Sequence, residues 1–135
     1  MFGGRWNPKG IRVAYCSEHL SLACLENLVH ADDRHLPDDL VAIAIDIPDD
    51  MARRVLATKD LPAAWDRVPG PERLKELGAA WVAAKVEALL LVPSSVVREE
   101  SNILVNPDHP DAARLVLHPG RPFSFDTRLG ASSKP

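Results

Sequence analysis

At 135 residues the chain is sized for one domain, and 46% hydrophobic with 26% charged residues is ordinary for a globular protein rather than a disordered one. A formal charge of -3 argues against a surface built to neutralise nucleic-acid phosphates, and no apolar run reaches the ~18 residues of a membrane span. The opening Met-Phe-Gly-Gly-Arg-Trp lacks the basic-then-apolar pattern of a signal peptide, so the expected compartment is the cytoplasm.

Residues 3–10 (Gly-Gly-Arg-Trp-Asn-Pro-Lys-Gly) hold three Gly and one Pro and predict a tight loop that presents Arg5. Residues 11–16 read as a strand ending near Tyr15. Ser17 is the expected N-cap of a helix from Glu18 to about Ala31, with Leu20, Leu22, Cys24, Leu25, Leu28 and Val29 on an apolar arc and Glu26 at its edge. Cys16 and Cys24 lack zinc-ligand spacing and read as small buried thiols; His19, His30, His35, His109 and His118 form no HxxxH or HxH pair, so no metal is expected.

Period-two alternation predicts one strand over 40–47, stopped by Pro48. The stretch 49–70 reads mostly as loop, with room for a short helix through Met51–Leu56. Pro71 suits a first helical position, and Leu74, Leu77, Trp81 and Val82 then recur at helical spacing through Ala84. A buried strand follows over 87–92, is interrupted at Pro93-Ser94, and is expected to resume over Ser95–Val97; 103–105 extends the sheet. A short helix over 108–114 and strands over 115–117 and 123–125 complete the domain, and Gly130–Pro135 reads as a tail. The irregular mixture points to an α+β fold around a mixed, mainly antiparallel sheet, with Trp6, Trp65 and Trp81 as packing residues and His109 as structural. Neither a GxGxxG nor a Walker pattern is present, which excludes the usual dehydrogenase and P-loop readings.

Five stretches in this order resemble the RES domain, a family named for its recurrent arginine, glutamate and serine. They are the loop at 3–10, Tyr-Cys-Ser-Glu-His-Leu-Ser-Leu-Ala-Cys-Leu-Glu at 15–26, Val-Pro-Ser-Ser-Val-Val at 92–97, Asn-Ile-Leu-Val-Asn-Pro-Asp-His-Pro-Asp at 102–111 and Pro-Phe-Ser-Phe-Asp-Thr-Arg-Leu at 122–129. The resemblance implies a fold similar to ADP-ribosyltransferase toxins, over a domain placed at residues 1–129 with 130–135 as tail. Family members usually carry a further strand segment before the Gly-Gly-Arg-Trp loop, where this chain begins. It also implies a toxin of a toxin-antitoxin pair with an Xre-like helix-turn-helix antitoxin as partner in a hetero-oligomer, and NAD+ as substrate with no separate cofactor. By motif position the implied site residues are Arg5, Tyr15, Glu26 and Ser94, with Asn102 as an addition.

These residue types suit cleavage of the nicotinamide–ribose bond. The transition state is an oxocarbenium-like sugar, and the departing ring, already cationic, leaves neutral without needing a proton. One carboxylate, Glu26, then suffices to bond a ribose hydroxyl and stabilise the forming cation. Arg5 suits a fork on the pyrophosphate, Tyr15 offers a π-face to the cationic ring, Ser94 a hydrogen bond to amide or ribose, and Asn102 either orients Glu26 or contacts the sugar. Read without the resemblance, Arg5 is a solvated loop residue, Tyr15 fills the core, Glu26 pairs with His30 one turn on, and Ser94 and Asn102 form turns. Three activities fit: hydrolysis or phosphorolysis of NAD+, transfer of ADP-ribose to a protein, and an inactive module that holds an antitoxin.

Overall fold

The computed structural model describes residues 3–30 and 36–130. Its centre is a four-stranded sheet built from β1 (Ala14–Ser17), β4 (Arg53–Val55), β5 (Leu89–Pro93) and β6 (Ser101–Val105), in the order β1-β6-β5-β4. The β1–β6 and β6–β5 pairs are antiparallel and β5–β4 is parallel, so the sheet is mixed and mainly antiparallel as expected. Two small antiparallel ribbons lie outside it: β2 (Leu40–Ala42) with β8 (Arg121–Phe123), and β3 (Ile45–Asp46) with β7 (Val116–Leu117).

Strand alternation divides the core. Leu90, Val92 and Leu104 point to one face, where they bury against Trp6, Leu56, Leu61, Trp65, Leu74 and Trp81. Leu89 and Val105 point to the other, against Met51 and Ala88. Helix α2 (Glu72–Ala84) covers the first face with Leu74 and Trp81, which are fully buried, and it stops at Lys85 in the left-handed conformation. Its mid-helix glycine is explained by contact: a Cβ on Gly78 would lie 1.7 Å from the carbonyl oxygen of Trp6. The absence of a side chain there lets the loop of residues 3–10 lie directly on α2, with Trp6 only 3% exposed. All three tryptophans are core residues, as the sequence predicts. His109 is structural too, accepting the Asp111 N–H on Nδ1 at the start of a 3₁₀ turn over Pro110–Arg114.

Several expectations are corrected. The alternating run 40–47 is two strands, because Ala44 turns away to accept the His118 N–H and the halves pair with different partners. No helix forms through Met51–Leu56; Arg53–Val55 is instead the parallel edge strand beside β5. Ser95–Val97 does not resume a strand but bends back, since the Ser94 N–H bonds Glu100 O at 2.9 Å and closes a turn into β6. Ser17 is the last residue of β1 rather than an N-cap; α1 (Leu20–Val29) begins after His19, and Ala31 lies outside the described residues, as does most of the expected tail. The apolar arc of α1 is mostly not buried either. Leu22 is enclosed, but Leu20, Leu25 and Val29 are 47%, 40% and 57% exposed, because the helix rides the edge of the sheet. Both cysteines are free and half-buried rather than enclosed.

Candidate active site

Three side chains from distant parts of the chain meet at one carboxylate oxygen. Glu26, half-buried on α1, accepts on Oε2 from Ser94 Oγ at 2.7 Å and from Asn102 Nδ2 at 2.6 Å. Ser94 is fully buried after the Pro93 break, and its Oγ also accepts the backbone N–H groups of Val96 and Val97, each at 3.0 Å. With two N–H donors on its lone pairs, the hydroxyl has its single proton left for Glu26, so its polarity is fixed by valence. Asn102 sits opposite Ser17 in the β1–β6 register, and Ser17 Oγ donates to Asn102 Oδ1 at 2.7 Å.

Both donors therefore hold the same oxygen. Among the described residues Oε1 has no hydrogen-bond partner, and it is not a buried orphan. The acid is thus anchored on one side and open on the other, which is what a group that must bond a ligand requires. The helix-surface pairing with His30 does not form.

Tyr15 and Arg5 make a second group on the same face of the sheet. Tyr15 precedes Ser17 by two strand residues, so the side chains point the same way about 7 Å apart along β1. The Tyr15 hydroxyl donates to Asn7 Oδ1 and accepts the Trp6 N–H at 3.2 Å, while the residue as a whole remains 47% exposed. That approach needs Gly4, where a Cβ would fall 2.5 Å from the Tyr15 hydroxyl. Burial raises the phenol above its ordinary range, against smaller lowering effects of the Trp6 N–H and the nearby Arg5 charge. Asn7 is 3% exposed and braced by donation to Ile11 O at 2.6 Å.

Arg5 is half-buried, with Nη1 donating to Trp65 O at 3.0 Å and Arg67 O at 2.9 Å. Those bonds pin one corner of the guanidinium and leave Nε and Nη2 without partners among the described residues. The same stretch is tied to the turn after Ser94 by the Asp66–Arg98 ion pair at 2.6 Å.

A cavity of about 940 Å³ runs along the outer edge of β1 and behind it. Tyr15 and Ser17 touch it, but Arg5, Glu26, Ser94 and Asn102 do not, and it is walled mainly by apolar groups such as Cys16, Ala23, Ile103 and Phe125. The hydrogen-bonded acid and its two donors thus lie outside this groove. Glu18, His19 and Glu100 place ligand-type atoms within 4.8 Å of one another near the start of α1, where Glu18 already accepts the Ser101 N–H at 2.8 Å.

All five residues singled out from the sequence thus fall into two adjoining groups. Ser17 and Asn7, which orient members of each, were not singled out. Both lie inside the motifs, and a buried amide or a serine opposite an amide is visible only once register is known.

A family model for the RES domain matches residues 1–126. The chain is 37% identical to the "Prs ADP-ribosylating toxin" of Sphingobium sp. (strain YBL2), over 94% of this chain and 80% of that protein. It is 36% identical to the "Toxin Res" of Yersinia enterocolitica, over 95% of this chain and 84% of that one. It is 33% identical to the "Toxin Res" of Photorhabdus laumondii, over 99% and 86% respectively.

Proposed function

The chain belongs to the RES-domain family, and from that membership together with the half-open Glu26 carboxylate we propose that it is a toxin that breaks the nicotinamide–ribose bond of NAD+. The observation that carries the reading is the asymmetry of Glu26, with both protein donors on Oε2 and Oε1 left for a ribose hydroxyl.

In this reading Arg5 grips the pyrophosphate with its unpinned nitrogens, and the exposed face of Tyr15 lies against the cationic nicotinamide, a contact of roughly 0.5–2 kcal/mol. The C1′–N bond breaks and its electron pair neutralises the departing pyridinium. Glu26 stabilises the positive charge that grows on the ribose, more strongly in the transition state than before it. Ser94 and Asn102 hold the carboxylate in place, and water or phosphate completes the exchange, water releasing its proton to solvent.

A second reading, transfer of ADP-ribose to a protein, uses the same first step with a different acceptor and is favoured by the name of the Sphingobium relative. For either reading the proposed partner is a helix-turn-helix antitoxin. Among the described residues no helix is long and apolar enough to cross a membrane.

The test is nicotinamide release from NAD+ by the purified chain and by Glu26→Gln, with products resolved with and without phosphate. The substitution should lower kcat by about 100-fold or more while the fold persists. A fully active Glu26→Gln protein would remove the acid from the mechanism; labelled ADP-ribose retained on a protein would select the second reading.

A further inference from the structure

Resting on the reading of Glu26 as the acid, we infer that Ser17 is a positioning residue for the reaction: it holds the Asn102 amide at the angle from which Nδ2 meets the carboxylate.

An amide has a donating and an accepting end of nearly the same shape, and something must choose between them. An ionised Glu26 can only accept, so Nδ2 must face it, and Oδ1 must then face away. The group waiting there is the Ser17 hydroxyl, 2.7 Å from Oδ1. It donates to Oδ1 and so restrains rotation of the amide about its Cβ–Cγ bond. Register makes this possible, since Ser17 and Asn102 are directly opposed on neighbouring antiparallel strands and their side chains share a face.

Without that restraint the amide can turn, and the Nδ2 contact to Glu26 Oε2, now 2.6 Å, is lengthened and misaligned. The carboxylate would then rest mainly on Ser94, its other donor. The result is a misaimed acid rather than a missing one, which should appear in turnover and not in binding of the substrate's remote parts. Ser17 touches neither Glu26 nor a reacting atom; it acts through Asn102.

The test is a series at this one position in the full chain, Ser17→Thr, Ser17→Cys and Ser17→Ala, followed by steady-state nicotinamide release, thermal unfolding and the NMR signals of the Asn102 side-chain amide. Ser17→Ala should lower kcat about tenfold with KM within about twofold, the scale of one oriented hydrogen bond. Ser17→Thr should restore most of the rate, with Ser17→Cys, a weak donor, between them. The Asn102 amide protons should be shifted and exchange-protected in wild type and Ser17→Thr, and solvent-like in Ser17→Ala. Unchanged kcat in Ser17→Ala together with an unchanged amide signal overturns the inference. So does a rate that follows unfolding temperature rather than donor strength. If wild type releases no nicotinamide the reaction assignment fails instead, and the amide signal still decides whether Ser17 sets the Asn102 orientation.

Discussion

Gly78→Ala sets two well-characterised effects against each other. Alanine in place of glycine in a helix interior normally stabilises by about 0.8–1 kcal/mol. Here the added methyl would sit 1.7 Å from the Trp6 carbonyl oxygen and 2.9 Å from its carbon. Backbone, unlike a side-chain tip, cannot rotate out of the way, so reaching even 3.0 Å requires the loop and α2 to part by about 1.3 Å. Overpacking of this kind costs roughly 1–3 kcal/mol, and separation of Trp6 from its enclosure adds to it. The expected sum is a net loss of about 1–2 kcal/mol, a fall of roughly 5 °C in unfolding temperature for a domain of this size. Because Arg5 and Asn7 ride on the displaced loop, KM for NAD+ should rise as well. Thermal or urea unfolding read beside nicotinamide release decides the matter. A Gly78→Ala protein more stable than wild type with unchanged KM would show that the loop does not rest on α2 as described.

Three further outcomes follow from the same contacts. Ser94→Ala strands the N–H groups of Val96 and Val97 and removes a donor from Glu26; it should cost about 1–3 kcal/mol in urea unfolding and lower kcat, whereas equal stability would mean that water replaces the hydroxyl. Arg5→Lys keeps the charge but loses the planar fork, so KM for NAD+ should rise about tenfold with kcat less affected, and an unchanged KM would take Arg5 out of pyrophosphate binding. Tyr15 holds its proton more tightly in the folded chain than its ordinary phenol value. Its contribution is therefore complete below the ordinary phenol range and is lost as pH rises through the elevated folded value, because the unfolded chain releases the proton first. Tyr15→Phe should flatten the decline in urea stability between about pH 9 and 11, and an unaltered slope would refute the assignment. Cys16, whose thiol burial also raises, remains in both proteins and does not enter the comparison.

How far the chain declares itself depends on the range of the interaction. Helix α2 was legible to within one residue, Pro71 proving to be its extended N-cap rather than its first helical residue, because Pro71 and the spacing of Leu74, Leu77 and Trp81 are local signals. Strand β4 was not. Arg53–Val55 is short, exposed and without alternation, and it exists because the edge of β5 offers it a ladder. Ser17 shows the same limit at the site. A serine before an apolar helix is a sound N-cap signal, yet here its hydroxyl is drawn 85 residues away to Asn102, and His19 occupies the cap without a side-chain bond. Glu26, Ser94 and Asn102 were found because the motifs resemble a family, not because any spacing announced that they would share one oxygen. The hydrophobic arc of α1 misled by being real but only partly covered, since amphipathicity states which side could be covered and not how much of it is.

The middle position of β6 in the sheet has a consequence for when the chain can act. The acid at position 26 is synthesised early, but the groups that aim it come 68 and 76 residues later, and the carbonyls that pin Arg5 come 60 and 62 residues after it. Such separations place the entropic cost of closing long loops ahead of any aligned carboxylate. A growing or amino-terminal fragment holds the acid without the groups that aim it, so on the proposed reading activity arrives late in translation and with the last central strand.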